Sequence, residues 1–177
     1  MSKHRPFALL ALLGLLALAS GASAQTFPNG GGTLAGADRL RVPGCGRDAG
    51  LISVAVTAAP FACVLGGPGL VAPCTGGAWT AAIGSAPYSG TGDAINERLA
   101  RLSLDAASLA ALEAALEADA SALCEETVTI SSLTANAALK LNKRKTHAWL
   151  GLRARSRGMT ASGGEGIGSY ALRARGP

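Results

Sequence analysis

From Val128 towards the C-terminus, apolar residues recur at every second position, and a stretch with that period has to build a sheet. Val128 and Ile130 alternate with Thr127, Thr129 and Ser131, and Leu139 and Leu141 alternate with Lys140 and Asn142. Ala148, Leu150, Leu152 and Ala154 alternate with Trp149, Gly151, Arg153 and Arg155. Tyr170, Leu172 and Ala174 alternate with Ala171, Arg173 and Arg175. Successive side chains of a strand point to opposite sides, so each run offers one apolar and one polar face. Lys143 to Lys145 and Ser162 to Gly168 separate the later runs and predict the turns of an antiparallel meander.

Upstream the period changes. Asp93 is placed to cap a helix carrying Ile95, Leu99 and Leu102 at spacings of four and three. Ser103 or Asp105 can cap a second, longer helix with Leu109, Leu112, Leu116, Ala120 and Leu123 on one face, ending at Cys124. Alanine on the back of this segment favours helix, and Glu113, Glu117 and Asp119 read as its solvated face. Further upstream, Ile52, Val54 and Val56 alternate with polar or small residues and predict a strand. Arg39 to Val42 predicts a short edge strand. The Gly-, Pro- and Ser-dense stretch from Ala59 to Gly92 reads as irregular loop. The sequence therefore predicts an α+β fold, a two-helix segment packed on a mostly antiparallel sheet and stapled by disulfides.

The N-terminus obeys a different logic. Lys3, His4 and Arg5 precede an Ala/Leu run from Phe7 to Ala19, and Ala22-Ser23-Ala24 follows. Basic start, apolar run and small-residue exit describe a secretory signal peptide cut after Ala24. The apolar run reaches only about 20 Å as a helix, short of a hydrocarbon core of roughly 30 Å, so no transmembrane anchor is expected after cleavage. The predicted organisation is a signal over 1–24, a flexible Gly-rich leader over 25–37 and a single α+β domain over 38–177. The predicted location is secreted or periplasmic.

An exported chain with an even set of cysteines predicts disulfides. Cys63 and Cys74 bracket a turn-rich loop and are expected to pair, leaving Cys45 for Cys124. The 49% apolar content of the chain is inflated by the signal, and much of the remainder is alanine. Such a thin core gains from cross-links. The cysteine spacings contain no Cys-x-x-Cys pair and no nearby histidine, so no metal site is expected.

Charge is divided along the chain. Gly92 to Glu126 holds eight acidic and two basic residues, a net of −6, whereas Lys140 to Pro177 holds nine basic residues and one acidic, a net of +8. On the strand after Lys143 the odd positions are Lys143, Lys145, His147, Trp149, Gly151, Arg153, Arg155 and Arg157, which share one face. Lys140, Arg173 and Arg175 can join that face from neighbouring strands. Arginine forks suit phosphate, sulfate or carboxylate, and a tryptophan among them offers a stacking surface. The face is a candidate for an anionic polysaccharide, a lipid head group or extracellular DNA. The plainer reading is that an antiparallel sheet needs a wet face and fills it with Lys and Arg.

Catalysis finds little support. His147 is the sole histidine after the signal, with no carboxylate beside it in sequence. Gly163 to Gly168 lacks the Gly-Lys-Ser/Thr ending of a phosphate loop and runs into a strand. Glu113 and Glu117 lie one turn apart without metal-binding histidines nearby. No catalytic residue and no cofactor is assigned. The expected function is that of an exported, non-catalytic protein of the cell envelope or extracellular space, contacting polyanions through its basic C-terminal sheet. The alternatives are a secreted inhibitor or effector that uses the Cys63–Cys74 loop, and a small secreted hydrolase without a recognisable motif.

Overall fold

A computed structural model describes residues 32–58, 77–96, 98–144 and 147–176. In chain order the elements are β1 (Gly32–Val42), β2 (Gly46–Ala58), β3 (Gly77–Ile83), β4 (Ala86–Asn96), β5 (Leu99–Leu104), α1 (Ala106–Cys124), β6 (Val128–Leu141), β7 (Ala148–Thr160) and β8 (Glu165–Gly176). All strand pairs are antiparallel, neighbours in sequence are neighbours in space, and β8 returns to β1 to close the barrel. The expected α+β layering is thus corrected to a closed eight-stranded barrel, with one helix among the described residues.

Period-two patterning builds this barrel because closure turns the apolar side of every strand inward. Leu34 and Leu40 of β1, Val54 and Val56 of β2, Ala100 and Leu102 of β5 are buried. So are Leu139 and Leu141 of β6, Leu150 and Leu152 of β7, and Leu172 and Ala174 of β8. Trp79, Ala81 and Tyr88 supply the β3–β4 sector, where Trp79 Nε1 donates to the Ser103 carbonyl at 3.1 Å. Gly90 lies beside that contact, and a Cβ built there would overlap the Ser103 carbonyl oxygen. The β4–β5 approach therefore requires glycine at this position.

Two stretches expected to be helix or loop are strand. Asp93 lies in β4 and no helix starts there. Ile95 is 49% exposed on the outer side of β4, while Leu102 is buried inside the barrel on β5. Their helical spacing is coincidental, since the two residues occupy opposite faces of the wall. Gly77 to Gly92, expected as loop, makes β3 and most of β4. Arg39 to Val42 is no edge strand, because β1 is paired on both sides. Gly32 to Ala37, read as the end of the leader, forms the first half of β1.

The second expected helix is present. Asp105 caps α1, accepting from the Ser108 amide at 2.7 Å, and Glu125 closes it in the left-handed region at φ 56°. Hydrogen bonds from Ser89 and Ser108 hold the Asp105 carboxyl below the usual aspartate range. Ser108, Leu112, Leu116 and Ala120 recur every four residues and form the buried face. β5 ends and β6 begins at the barrel end that also carries the Pro43–Cys45, Gly84–Ser85 and Ala161–Gly164 turns, so α1 spans that end. Glu117 accepts from the Ile130 amide at 2.7 Å and Ser121 from the Val128 amide at 2.9 Å, which anchors the helix to the start of β6. The Cys45–Cys124 disulfide ties the last residue of α1 to the β1–β2 turn, as the sequence predicts. The signal over 1–24, together with Cys63 and Cys74, lies outside the described residues.

Candidate polyanion-binding site

With the apolar positions turned inward, the register dictates what stands outside. Lys140, Trp149, Arg175 and Ala35 face one another across β6, β7, β8 and β1. The next row is Arg101, Ala138, Gly151, Arg173 and Ala37, starting from β5. Below it run Asn136, Arg153, Ala171 and Arg39, then Thr134, Arg155, Ser169, Arg41 and Arg47. Arg157 extends the β7 column opposite Ile167. Alternate outward residues of one strand lie roughly 6.8 Å apart and neighbouring strands about 4.8 Å apart, so the guanidinium groups form a grid.

Arg153, Arg155, Arg173 and Arg175 therefore share the outer wall as expected, and all four are exposed. Lys143 is exposed in the β6–β7 connection, at the end of the barrel away from α1. His147 is half-buried in the same connection, its amide donating to Asn142 Oδ1 at 3.2 Å. It belongs to the rim and not to the grid. Lys145 lies outside the described residues. Trp149 is half-buried, with the Arg175 guanidinium 5.8 Å from its ring centroid, so one face of the indole is already occupied by a cation.

The wall is larger than the C-terminal sequence implies. Closure adds Arg39 and Arg41 from β1 and Arg47 from β2, and the β5–β6 pairing adds Arg101, all exposed. Alternation of Arg39-Leu40-Arg41-Val42 was the signal that β1 turns arginines to one side, but only the β1–β8 pairing joins them to β7 and β8. Among the described residues no carboxylate forms an ion pair with these arginines. Arg41 and Arg47 stand directly opposite each other, and like charges in that relation destabilise a sheet.

Small residues form the floor between the cations. A hollow of about 460 Å³ lies over Ala138 and Gly151, with Arg101, Arg153 and Arg173 around it and Asp93, which stands opposite Arg101, at its border. A Cβ added at Gly151 would meet nothing within 4 Å, so the space above it is open. Shallower hollows of about 290 Å³ and 220 Å³ lie over Ala171, the first between Arg39 and Arg173 and the second beside Arg39, Arg41 and Arg47. A barrel that spans a bilayer turns an apolar band outward, and each mid-strand arginine on such a face costs roughly 2–4 kcal/mol at the bilayer midplane.

The acidic candidates have structural roles. Glu117 anchors β6, so it is not one half of a free carboxylate pair with Glu113. Asp38 points inward from β1 and accepts from Tyr170 Oη at 3.3 Å and from the Gly50 amide at 3.2 Å. Burial, with the Asp38 charge beside it, pushes the Tyr170 phenol well above its usual range. Burial, then the Asp38 and Asp48 charges, raises the Asp119 carboxyl. Among the described residues no group of three or more His, Cys, Asp or Glu is placed to hold a metal ion. Comparison with family models, curated proteins and solved structures finds no match to this chain.

Proposed function

We propose that this is an exported, non-catalytic protein that binds an anionic polysaccharide along the outer wall of β7, β8, β1 and β2. The observation that carries this reading is the grid of exposed arginines without ion-pair partners among the described residues, standing over a floor of Ala, Gly and Ser. A scaffold wall selected only for solubility gains nothing from Arg41 opposite Arg47. A bound polyanion converts that repulsion into attraction. Sulfate and carboxylate groups match the planar arginine fork, and the hollows leave room for sugar rings between the forks.

Two features favour a flexible polysaccharide over the other anions. The wall is convex, so a flat lipid surface meets only a few strands at once, whereas a chain crossing the strands follows the curve. Base stacking in single-stranded DNA needs open aromatic faces. Trp149 already carries Arg175 on one face, and no aromatic is exposed among the described residues. Export rests on the predicted signal over 1–24.

The test is retention on a heparin matrix at low salt, using the mature chain and an Arg153→Glu, Arg155→Glu variant. Both positions are exposed, so the barrel folds in either case. Salt-eluted retention that collapses in the variant supports the reading. Equal elution of the two proteins defeats it.

A further inference from the structure

A cavity of about 720 Å³ opens at the α1-covered end of the barrel, inside the sheet and away from the arginine grid. It falls in the range of small-molecule sites. Leu40, Leu116, Leu123, Val128 and Ile130 line its apolar part. Along the inner face of β7 and β8 the side chains shrink towards this end. Leu152 faces Leu172, Ala154 faces Tyr170, Ser156 faces Gly168, and Gly158 faces Gly166. Gly166 is the informative position. A Cβ there would meet only the Pro43 ring at 3.8 Å, an ordinary contact, and its φ is not in the left-handed region. Neither crowding nor backbone geometry demands glycine at 166, yet its missing side chain leaves the space open.

The polar lining has one sign. Glu125, Glu126 and Glu165 border the cavity, and no Lys, Arg or His lies among its lining residues. Ser162 donates to Glu126 through both its amide and its hydroxyl at 3.0 Å, which holds that carboxyl below the usual glutamate range and keeps it ionised. On a barrel whose outer wall is basic, this end is acidic. We propose that the cavity is a binding site for a single-chain amphiphile with a cationic head group. The alkyl chain lies against Leu40, Leu116 and Ile130 beside Gly166, and the ammonium sits among Glu125, Glu126 and Glu165. A carboxylate head is rejected by the same three groups.

Calorimetric titration of the intact, disulfide-bonded protein with decyltrimethylammonium, decanol and decanoate, each below its aggregation concentration, tests the proposal. The ammonium is expected to bind saturably, about tenfold more tightly than decanol, as two carboxylates at roughly 6 Å in a watery dielectric would give. Decanoate is expected to bind more weakly than either. Gly166→Leu fills the space and removes ammonium binding, with its thermal transition read alongside to show that it folds. Glu125→Gln with Glu165→Gln alters two exposed side chains and, with Glu126 left in place, lowers the ammonium preference over decanol to about threefold or less. Absence of saturable ammonium binding, decanoate binding as tightly as the ammonium, or unchanged binding by folded Gly166→Leu overturns the site. An ammonium preference undiminished by loss of both carboxylates overturns the head-group assignment.

Discussion

Replacing Cys45 and Cys124 together by alanine removes the one covalent link between α1 and the β1–β2 turn among the described residues. The bond joins positions 79 apart in sequence. In the chain-entropy treatment, releasing a loop of that length costs about 4 kcal/mol of stability at 25 °C, because the unfolded chain regains the freedom the bond had denied it. Native contacts change little. The strand pairs that close the barrel do not involve either cysteine, and the Glu117–Ile130 and Ser121–Val128 hydrogen bonds still hold the helix to β6. The double variant is therefore expected to keep its far-ultraviolet circular dichroism, while its urea midpoint falls by roughly 2 M for a slope near 2 kcal/mol/M. Substitution is preferable to reductant because it leaves Cys63 and Cys74 untouched. Hydrogen exchange should rise first at the C-terminal turns of α1. A stability loss below about 1 kcal/mol would refute the reasoning, since the tether would then not restrict the unfolded chain. Loss of the sheet signal would refute it in the other direction, by making the bond a condition of barrel closure.

Other expectations follow from the packing. Leu172 is fully buried at the centre of β8, so Leu172→Ala should cost roughly 3 kcal/mol in equilibrium unfolding. Gly90→Ala should cost at least about 3 kcal/mol and shift the Trp79 fluorescence, because the added methyl collides with the Ser103 carbonyl that Trp79 contacts. Asp119→Asn should raise the melting temperature at pH 7 and leave it unchanged at pH 3. The folded state holds the Asp119 proton more tightly than the unfolded chain does. The favourable contribution is therefore complete below the unfolded aspartate value and is lost as pH rises through the raised folded value. Asp119 remains largely exposed, so the gain is small in size but fixed in sign.

What was legible in the chain was the part in which hydropathy contrasts sharply. Leu150, Leu152 and Leu172 against Arg153, Arg155 and Arg173 made β7 and β8 readable. The Asp105 cap and the Leu112–Leu116–Ala120 stripe did the same for α1. The sector from Gly77 to Leu104 was not readable as sheet because its inward positions include Ala81, Gly90, Gly92, Ala94 and Ala100. These hardly differ in hydropathy from outward Thr80 and Thr91. A chance spacing of Ile95, Leu99 and Leu102 then imitated a helix. Closure itself is non-local. Ala35–Arg41 pairs with Ser169–Arg175 across most of the chain, and no local pattern encodes that partnership. The candidate site divided in the same way, with Arg153, Arg155, Arg173 and Arg175 visible on their strands and Arg39, Arg41, Arg47 and Arg101 joined to them only by the barrel.

The most direct test of the arginine wall is the salt dependence of binding to a sulfated oligosaccharide of defined length. If about five guanidinium groups engage the chain, log K should fall against log salt with a slope of about −4. Each arginine replaced by glutamine among Arg39, Arg153, Arg155 and Arg173 should flatten the slope by about one unit. A slope near zero, or one unaltered by those replacements, would contradict a polyanion site on this wall.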